Sequence, residues 1–583
     1  MSPARVSTDL VDSGDSSACT TGTIFRLPTQ MSRESNLARQ SAEILKFFRS
    51  TTSNKATVSQ FLHNAELEMQ EYQTEINKLK TAIYALENKR NRLKRTAEMY
   101  KSLLAPIHIV PSEILTMIFQ FFCEKNVLSR RSTFPRAILL SMVCGRWKEL
   151  VYSTPSLWSG IEIDLTSWTG EFHALNEMTE RFLGQSGTSP LRLSLGLPAD
   201  NFTVGHSQCE GARPALCSLV ATSQRWESVS LQVAPPYFPS SVFEPIRGRL
   251  PILTSLGLKG PANASQFEGW GQPFDFFSIS PALRSVRIEV GSFKFGARET
   301  SLPFAQLTSL QMSASFNVWA FPIVALCPAV EHLEVTQIGG LESNSLRDYS
   351  GHITSSKVKT LAITSAIAQV DVDGVLRHTT LGGLSSLRIH GYSHAHRNLE
   401  DWPNWDETHL RNFLQRSACS ITSLSLSYLP ITDEQTISLL RMIPTIKSLC
   451  IKEFRNEFEN RIVTKTFLDG LAVNTSLGSP FSTPLVPRLT HLRLVVHAKD
   501  IQPDPLLGAL SSRWLPDPTD AAKMGVDCLR SVAIVVMLDG DHDDEQEEME
   551  LAQGDCLNGL FCFKDAGMEL SITYGTLSEL YPK

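Results

Sequence analysis

The sequence lacks most of what marks a metalloprotein, a secreted protein or a membrane protein. Its 11 cysteines are odd in number and scattered, with no CxxC pair. That spacing argues against a cysteine-held zinc site and against a disulfide framework. No run approaches the roughly 18 apolar residues of a membrane span; the best candidate, SVAIVVML at 531–538, is strand-sized. The first 30 residues lack an apolar core, and Asp9, Asp12 and Asp15 fall where a signal peptide would carry one. An excess of cations is missing too: 54 Lys and Arg face 60 Asp and Glu, for a net charge of −6. A balance of that sign speaks against nucleic acid or an anionic membrane as the main partner. An intracellular, reducing compartment is expected, cytoplasmic, nuclear or both.

Catalytic signatures are absent as well. There is no GxxxxGK[ST], no HExxH and no GxSxG at a strand–helix turn. The pair His394 and His396 in GYSHAH has no Cys or carboxylate at ligand spacing and reads as a loop. The run DGDHDDEQEEME at 539–550 places Asp539, Asp541, Asp543 and Glu550 at calcium-loop positions. Asp544, however, stands where that loop needs Gly, and Gln546 where it needs an apolar residue. A solvated acidic loop, open to a basic partner, is the reading. No catalytic residue, metal ligand or cofactor is expected, and the chain is read as a non-enzyme.

What is present divides into four segments. Residues 1–55 are Ser/Thr-rich with few aromatics, and disorder is expected. Residues 56–105 carry a heptad: Leu62, Ala65, Met69, Tyr72, Ile76, Leu79, Ile83, Leu86, Leu93, Ala97, Tyr100 and Leu104 recur at alternating spacings of three and four. Arg90 is the one break in the seam. With no Gly or Pro inside it, this is a long amphipathic helix and a candidate coiled coil. It would pair with itself, with another chain, or fold back on its own domain.

From about 190 onwards a short pattern returns, an apolar residue and then apolar-x-apolar. It appears as PLRLSLGL (190–197), LTSLGLKG (253–260), QLTSLQMSA (306–314), LSSLRIHG (384–391), PRLTHLRLVV (487–496) and others. The marked apolar residue falls at 193, 229, 256, 286, 310, 333, 361, 387, 424, 449, 492 and 532. A strand per unit with a return segment of variable length predicts a solenoid built on a parallel sheet. Two return segments, 406–418 and 433–443, read as helices. The arrangement resembles an irregular leucine-rich repeat, without that family's asparagine ladder.

Between coil and repeats stands HIVPSEILTMIFQFFCE (108–124). Pro111 suits a helix start and Glu113 suits its dipole. Ile114, Met117, Ile118 and Phe121 fall on one side; Leu115, Phe119 and Phe122 fall on the next. A small unit buries one face of such a helix, so the second requires another covering. A polar, basic connector, EKNVLSRRS, leads to an expected second helix, FPRAILLSMVCGRWKELVYS, and then to TPSLWSGIEID.

This stretch resembles the F-box domain. Val110, Pro111, Glu113, Ile114, Leu115, Ile118 and Phe119 match the opening of that family's pattern. Val143, Cys144, Trp147, Leu157 and Trp158 match its later part, and Val110 replaces the usual Leu. The resemblance covers about 55 residues of the 583. It implies an all-α, three-helix module over 106–163 that binds the Skp-family adaptor of a cullin–RING ubiquitin ligase. Val110, Pro111, Ile114, Leu115, Ile118 and Phe119 would dock on the adaptor. Val143 and Trp147 would pack the module and touch the adaptor at its edge, and Leu157 and Trp158 would join the module to the repeats. The expected fold class is therefore mixed α and α/β: a coil, the helical module, and an LRR-like solenoid over 164–583 that takes an unknown target protein. The competing expectation is a scaffold that uses the coil and repeats without ubiquitin transfer.

Overall fold

In the computed structural model the chain is mixed α/β, with a long N-terminal helix and a large curved parallel sheet. The structure describes Lys46 and residues 55–128, 134–165, 168, 171–197, 210–232, 240–260, 275–290, 302–314, 320–337, 351–365, 369–391, 407–429, 431–453, 461–473, 484–538 and 557–576. The acidic run at 539–550, His394 and His396, and nearly all of the 1–55 segment lie outside the described residues. The chain divides into two units, residues 1–110 and 111–583. Among the described residues no helix is long and apolar enough to cross a membrane.

The first unit holds α1, Lys55–Leu103, an unbroken helix of 49 residues. Its large apolar seam residues are exposed, from 44% for Ile76 and Leu79 to 72% for Leu93, and Ala65 is half-buried.

The second unit opens with three helices, α2 (Ser112–Phe122), α3 (Arg136–Ser141) and α4 (Gly145–Ser153). Its strands are β1 Asn126–Leu128, β2 Gly160–Asp164, β3 Leu191–Gly196, β4 Trp226–Gln232, β5 Ser255–Lys259, β6 Ser285–Val290, β7 Ser309–Ala314, β8 His332–Gln337, β9 Ile353–Ser355, β10 Thr360–Ser365, β11 Thr379–Leu381, β12 Ser386–Gly391, β13 Ser423–Ser427, β14 Ser448–Lys452, β15 His491–His497, β16 Ser531–Leu538 and β17 Glu569–Thr576. All but β9 and β11 join one 15-stranded sheet in chain order. Those two pair with each other, also in parallel.

Register follows the repeated pattern. Leu193, Val229, Leu256, Val286, Leu310, Leu333, Leu361, Leu387, Leu424, Leu449, Leu492 and Val532 stand opposite one another from strand to strand. Every one of them is buried. The second apolar position, from Leu195 to Ile534, makes a parallel buried row one pleat further on. A residue three positions before the mark, such as Leu253, Leu283, Leu307, Leu384 or Leu489, is buried as well. Side chains of alternate residues share a face, so the mark and the position two further on pack one core face, while the residue three before the mark is buried from the turn that precedes the strand.

A second row is made by backbone. From Thr254 to Thr490 one carbonyl per repeat accepts two N–H groups of the next repeat. The Thr254 carbonyl takes Arg284 N and Ser285 N, both at 3.0 Å; the Lys447 carbonyl takes Thr490 N and His491 N, both at 2.9 Å. A carbonyl has two lone pairs, so both are used. Strand starts are thereby tied together without an asparagine ladder.

Return segments carry helices of different lengths, among them Thr408–Ser417 and Asp433–Met442, close to their expected positions. A capping box starts the second: Gln435 N donates to Thr432 Oγ1 at 3.2 Å, and Thr432 N donates to Gln435 Oε1 at 2.9 Å. Buried Arg513 closes another return. Its guanidinium donates to Leu471 O at 2.5 Å, to Val486 O at 3.2 Å and to Leu485 O. Val486 holds a left-handed φ of 41°, a strained conformation for a β-branched residue. Burial pulls the Arg513 pKa down to about 10.

Two expectations for the 106–163 stretch need correction. It is not all-α: the connector supplies β1, which pairs in parallel with β2, so the sheet begins inside it. The expected second helix is two helices, α3 and α4, because Met142 and Val143 close a turn onto Leu139 O and Leu140 O and Cys144 is extended at φ −158°.

Asn126 explains the first correction. It occupies the register position that Ile161 and Leu193 hold in the next strands, and it is fully buried. Its Nδ2 donates to Leu157 O at 3.0 Å and Gly160 O at 2.9 Å, with Cys123 O at 3.4 Å; its Oδ1 accepts from Ala137 N at 2.9 Å. Gly160 must remain Gly, since a Cβ there would collide with the Glu124 carbonyl oxygen.

Asn126→Ala strands these buried backbone groups and is expected to cost about 3 kcal/mol. Asn126→Asp turns a carboxylate towards carbonyl oxygens and is expected to cost more. Chemical denaturation of the two variants beside wild type tests the order; a variant within about 0.5 kcal/mol of wild type would refute it.

Candidate docking surface on α2

α2 begins at Ser112, with Pro111 as its N-cap: φ is −55° and the Pro111 carbonyl accepts Leu115 N at 3.1 Å. Proline's fixed φ and missing N–H suit that place. Glu113 lies in the first turn, where a negative charge suits the dipole.

The two apolar sides of α2 have different fates. Leu115 and Phe119 are buried. Phe119 meets the half-buried Trp147 of α4 edge-to-face, with ring centroids 4.6 Å apart. They hold α2 against its own unit and do not form part of its open side. Geometry forces this: at a spacing of four residues they lie one above the other on the side that α4 covers.

The other side is bare. Ile114 is 47% exposed, Met117 54%, Ile118 49% and Phe121 79%. These sit at i, i+3, i+4 and i+7, one stripe of a helix. Pro111 at the helix start is exposed; Val110, the last residue of the first unit, is half-buried. Val143 was expected in the packing and is instead 60% exposed, beside Met142 at 62%, because both lie in the α3–α4 turn.

Phe122 is partly covered. The Arg136 guanidinium lies over its ring at 5.5 Å, and Nη1 donates to Phe122 O at 3.0 Å. The guanidinium thereby caps a free carbonyl at the helix end. Gln120 Nε2 donates to Ser156 Oγ at 3.2 Å. Trp158 lies fully buried between Tyr152 and Phe182, with centroids at 5.2 and 5.0 Å, and its Nε1 donates to Val151 O at 2.9 Å. It thus joins α4 to the helix Phe172–Gln185, the first return segment. Bare apolar stripe and rigid foundation are therefore one continuous piece.

Elsewhere, a cleft of about 1290 Å³ opens at the start of β14–β17. Lys447, Arg488, His491, Trp514, Arg530 and Glu569 are among its lining residues. Arg488 is committed to Asp527 at 3.1 Å. Among the described residues no group of three or more His, Cys, Asp or Glu is placed to hold a metal ion. Trp270, Trp402 and Trp405, which stand in Gly/Pro-rich stretches of the sequence as candidate contacts for a target, lie outside the described residues.

No family model matches the chain, and no curated protein is significantly similar to it.

Met117 and Phe121 were visible in the spacing but stood outside the site set that the resemblance implied. The periodicity asks only which side of the helix remains once one side is packed, and Met117 and Phe121 lie on that side.

Burial also separates the thiols. It pushes Cys123, at the end of α2, up to about 12, against the opposing pull of Arg136, and pushes Cys327 to about 12. Cys217 and Cys562 are exposed. Alkylation of native protein at about pH 8, near the ordinary thiol pKa, is expected to label Cys217 and Cys562 rapidly and to spare Cys123 and Cys327. Peptide mass spectrometry reads the result, and early labelling of Cys123 would contradict the packing of α2.

Proposed function

We propose that this protein is a non-catalytic substrate-recognition subunit of a cullin–RING ubiquitin ligase. The outer stripe of α2 docks on a Skp-family adaptor, and the repeat sheet, with its cleft, presents a target. The observation that carries the reading is the stripe Ile114, Met117, Ile118 and Phe121, exposed on a helix whose opposite side is locked into its own unit. Covering each such side chain contributes roughly 2 kcal/mol, and an amphipathic helix in a groove is a recurrent recognition mode. The resemblance of the surrounding residues to the F-box supplies the identity of the partner. Holding a target on a rigid array next to the ligase would raise its local concentration without any covalent chemistry by this chain.

Burial decides how to test it. Leu115→Asp would place a charge in the core and unfold the helix, so loss of binding would mean nothing. Ile118→Asp with Phe121→Asp changes two exposed residues. Co-purification with a Skp-family adaptor is expected for wild type and is expected to fall more than 100-fold for the double variant, if each residue is a hot spot of about 2 kcal/mol. The melting temperature is expected to stay within a few degrees of wild type. If wild type retains no adaptor, the proposal fails. A second reading, assembly without ubiquitin transfer, is favoured by the exposed seam of α1 and would stand if the adaptor binds yet no bound protein shows cullin-dependent turnover.

A further inference from the structure

The exposed seam of α1 has one break and a lopsided charge, and together they specify a partner. In the heptad, Leu62, Met69, Ile76, Ile83, Arg90, Ala97 and Leu104 take one seam position, and Ala65, Tyr72, Leu79, Leu86, Leu93 and Tyr100 the other. Acidic residues Glu66, Glu68, Glu71 and Glu75 gather in the first half; basic residues Lys89, Arg90, Arg92, Lys94 and Arg95 gather in the second. We propose that α1 pairs with α1 of a second copy of this chain as an antiparallel coiled coil, in the register that sets Arg90 on Tyr72 of the other copy.

A parallel, in-register pair fails at three places. Arg90 would face Arg90 inside the seam, Lys89 would flank Lys94, and the basic halves would lie side by side. Like charges so placed are destabilising. Reversing one helix lays each acidic half along a basic half. Seam layers then become Ile76 with Leu86, Ile83 with Leu79, Met69 with Leu93 and Leu62 with Tyr100, four large apolar pairs, with Ala65 on Ala97 as a small layer and Arg90 on Tyr72 as the polar one. Flanking positions become Glu66 with Lys94 and Glu75 with Lys89, each occurring twice by symmetry. One unfavourable pair remains, Lys80 with its own copy at the centre. Within one chain Glu75 meets Lys78 at 3.3 Å and Lys94 meets Glu98 at 3.9 Å, but all four are exposed, so these pairs are weak and exchangeable.

Arg90 selects the register. Opposite it stands Tyr72, 55% exposed, whose hydroxyl donates to Glu68 Oε1 at 2.5 Å. A guanidinium is attracted to such a ring face, and the Glu68 carboxylate lies within the same turn. A shift of one heptad would set Arg90 on Leu79 and lose both. A charge in an apolar seam costs stability, yet it rejects alternatives that cannot satisfy it.

No cysteine lies between Cys19 and Cys123, so new thiols in α1 report cleanly. The register sets Ala65 against Ala97 of the other copy. Full-length protein carrying Ala65→Cys with Ala97→Cys is expected to form an inter-chain disulfide on oxidation, joining residue 65 to residue 97, as read by peptide mass spectrometry. Either single variant is expected to form none at that position. Light scattering of wild type at about 10 μM is expected to give twice the 64.7 kDa chain mass. Disulfides in the single variants would mean a parallel pair and would overturn the proposal. So would a monomeric wild type, or a dimer whose double variant never joins 65 to 97.

Discussion

The second unit hangs on the side chain of Asn126. A stack of parallel strands buries each strand against its neighbours, and the first strand has a neighbour on one side only. At the register position where later strands place Ile, Leu or Val, β1 places an amide whose partners come from four segments. Those segments are the end of α2, the start of α3, the turn before β2, and β2 itself. An apolar residue would fill the same space and leave the backbone groups of that turn unmatched, at a cost comparable to the side chain's burial gain. The amide therefore ends the sheet and fastens the helices to it in one device.

That coupling has a consequence for α2. With Leu115 and Phe119 fixed on Trp147, and Trp158 seated under Phe182, the orientation of the outer stripe is set by the sheet. A partner on the stripe would be held at a defined angle to the repeats. Arg513 plays a comparable part further along, where its guanidinium satisfies three carbonyls around a strained Val486. Both hubs are buried polar groups, and both sit where the chain departs from the regular repeat. Between them the carbonyl row ties one strand start to the next from Thr254 to Thr490, and Arg416 adds donors to the carbonyls of Leu376, Arg377 and Thr379.

Legibility in the sequence followed the same division. Leu193 to Val532 were readable because one apolar residue in each repeat takes the same register place, and strand alternation is a strong signal. β1 was not readable: it is three residues long, flanked by charges, and polar at the place that marks the other strands. β17 kept its alternation, with Leu570 and Ile572 after Met568, but Glu569 replaces the small polar residue usual there. The α3–α4 break was hidden because the apolar stripe from Ile138 to Val151 continues across it, while the extended Cys144 that breaks it has no strong sequence signal. For α2 the periodicity identified two apolar sides, and only packing could assign which was inner. Leu115 and Phe119 match a docking pattern as well as Ile114 and Ile118 do; Trp147, 28 residues beyond Phe119, makes the difference.

Burial and exposure divide the apolar residues of this chain by what can reach them. The sheet rows are long-range contacts within one chain, and repetition makes them mutually supporting. The stripe of α2 and the seam of α1 have the opposite character: each is periodic, apolar and exposed among the described residues. Free-energy considerations treat the two alike, since each gains only when a second surface covers it. They differ in the information they carry. α1 holds its own complement, acidic in one half and basic in the other, so a reversed copy of itself satisfies it. α2 has no cation in its stripe and only Glu113 as an acid in its first turn. Self-pairing gives it no charge match, so a partner seated on it, as proposed above, would have to supply shape, which is what a preformed groove provides.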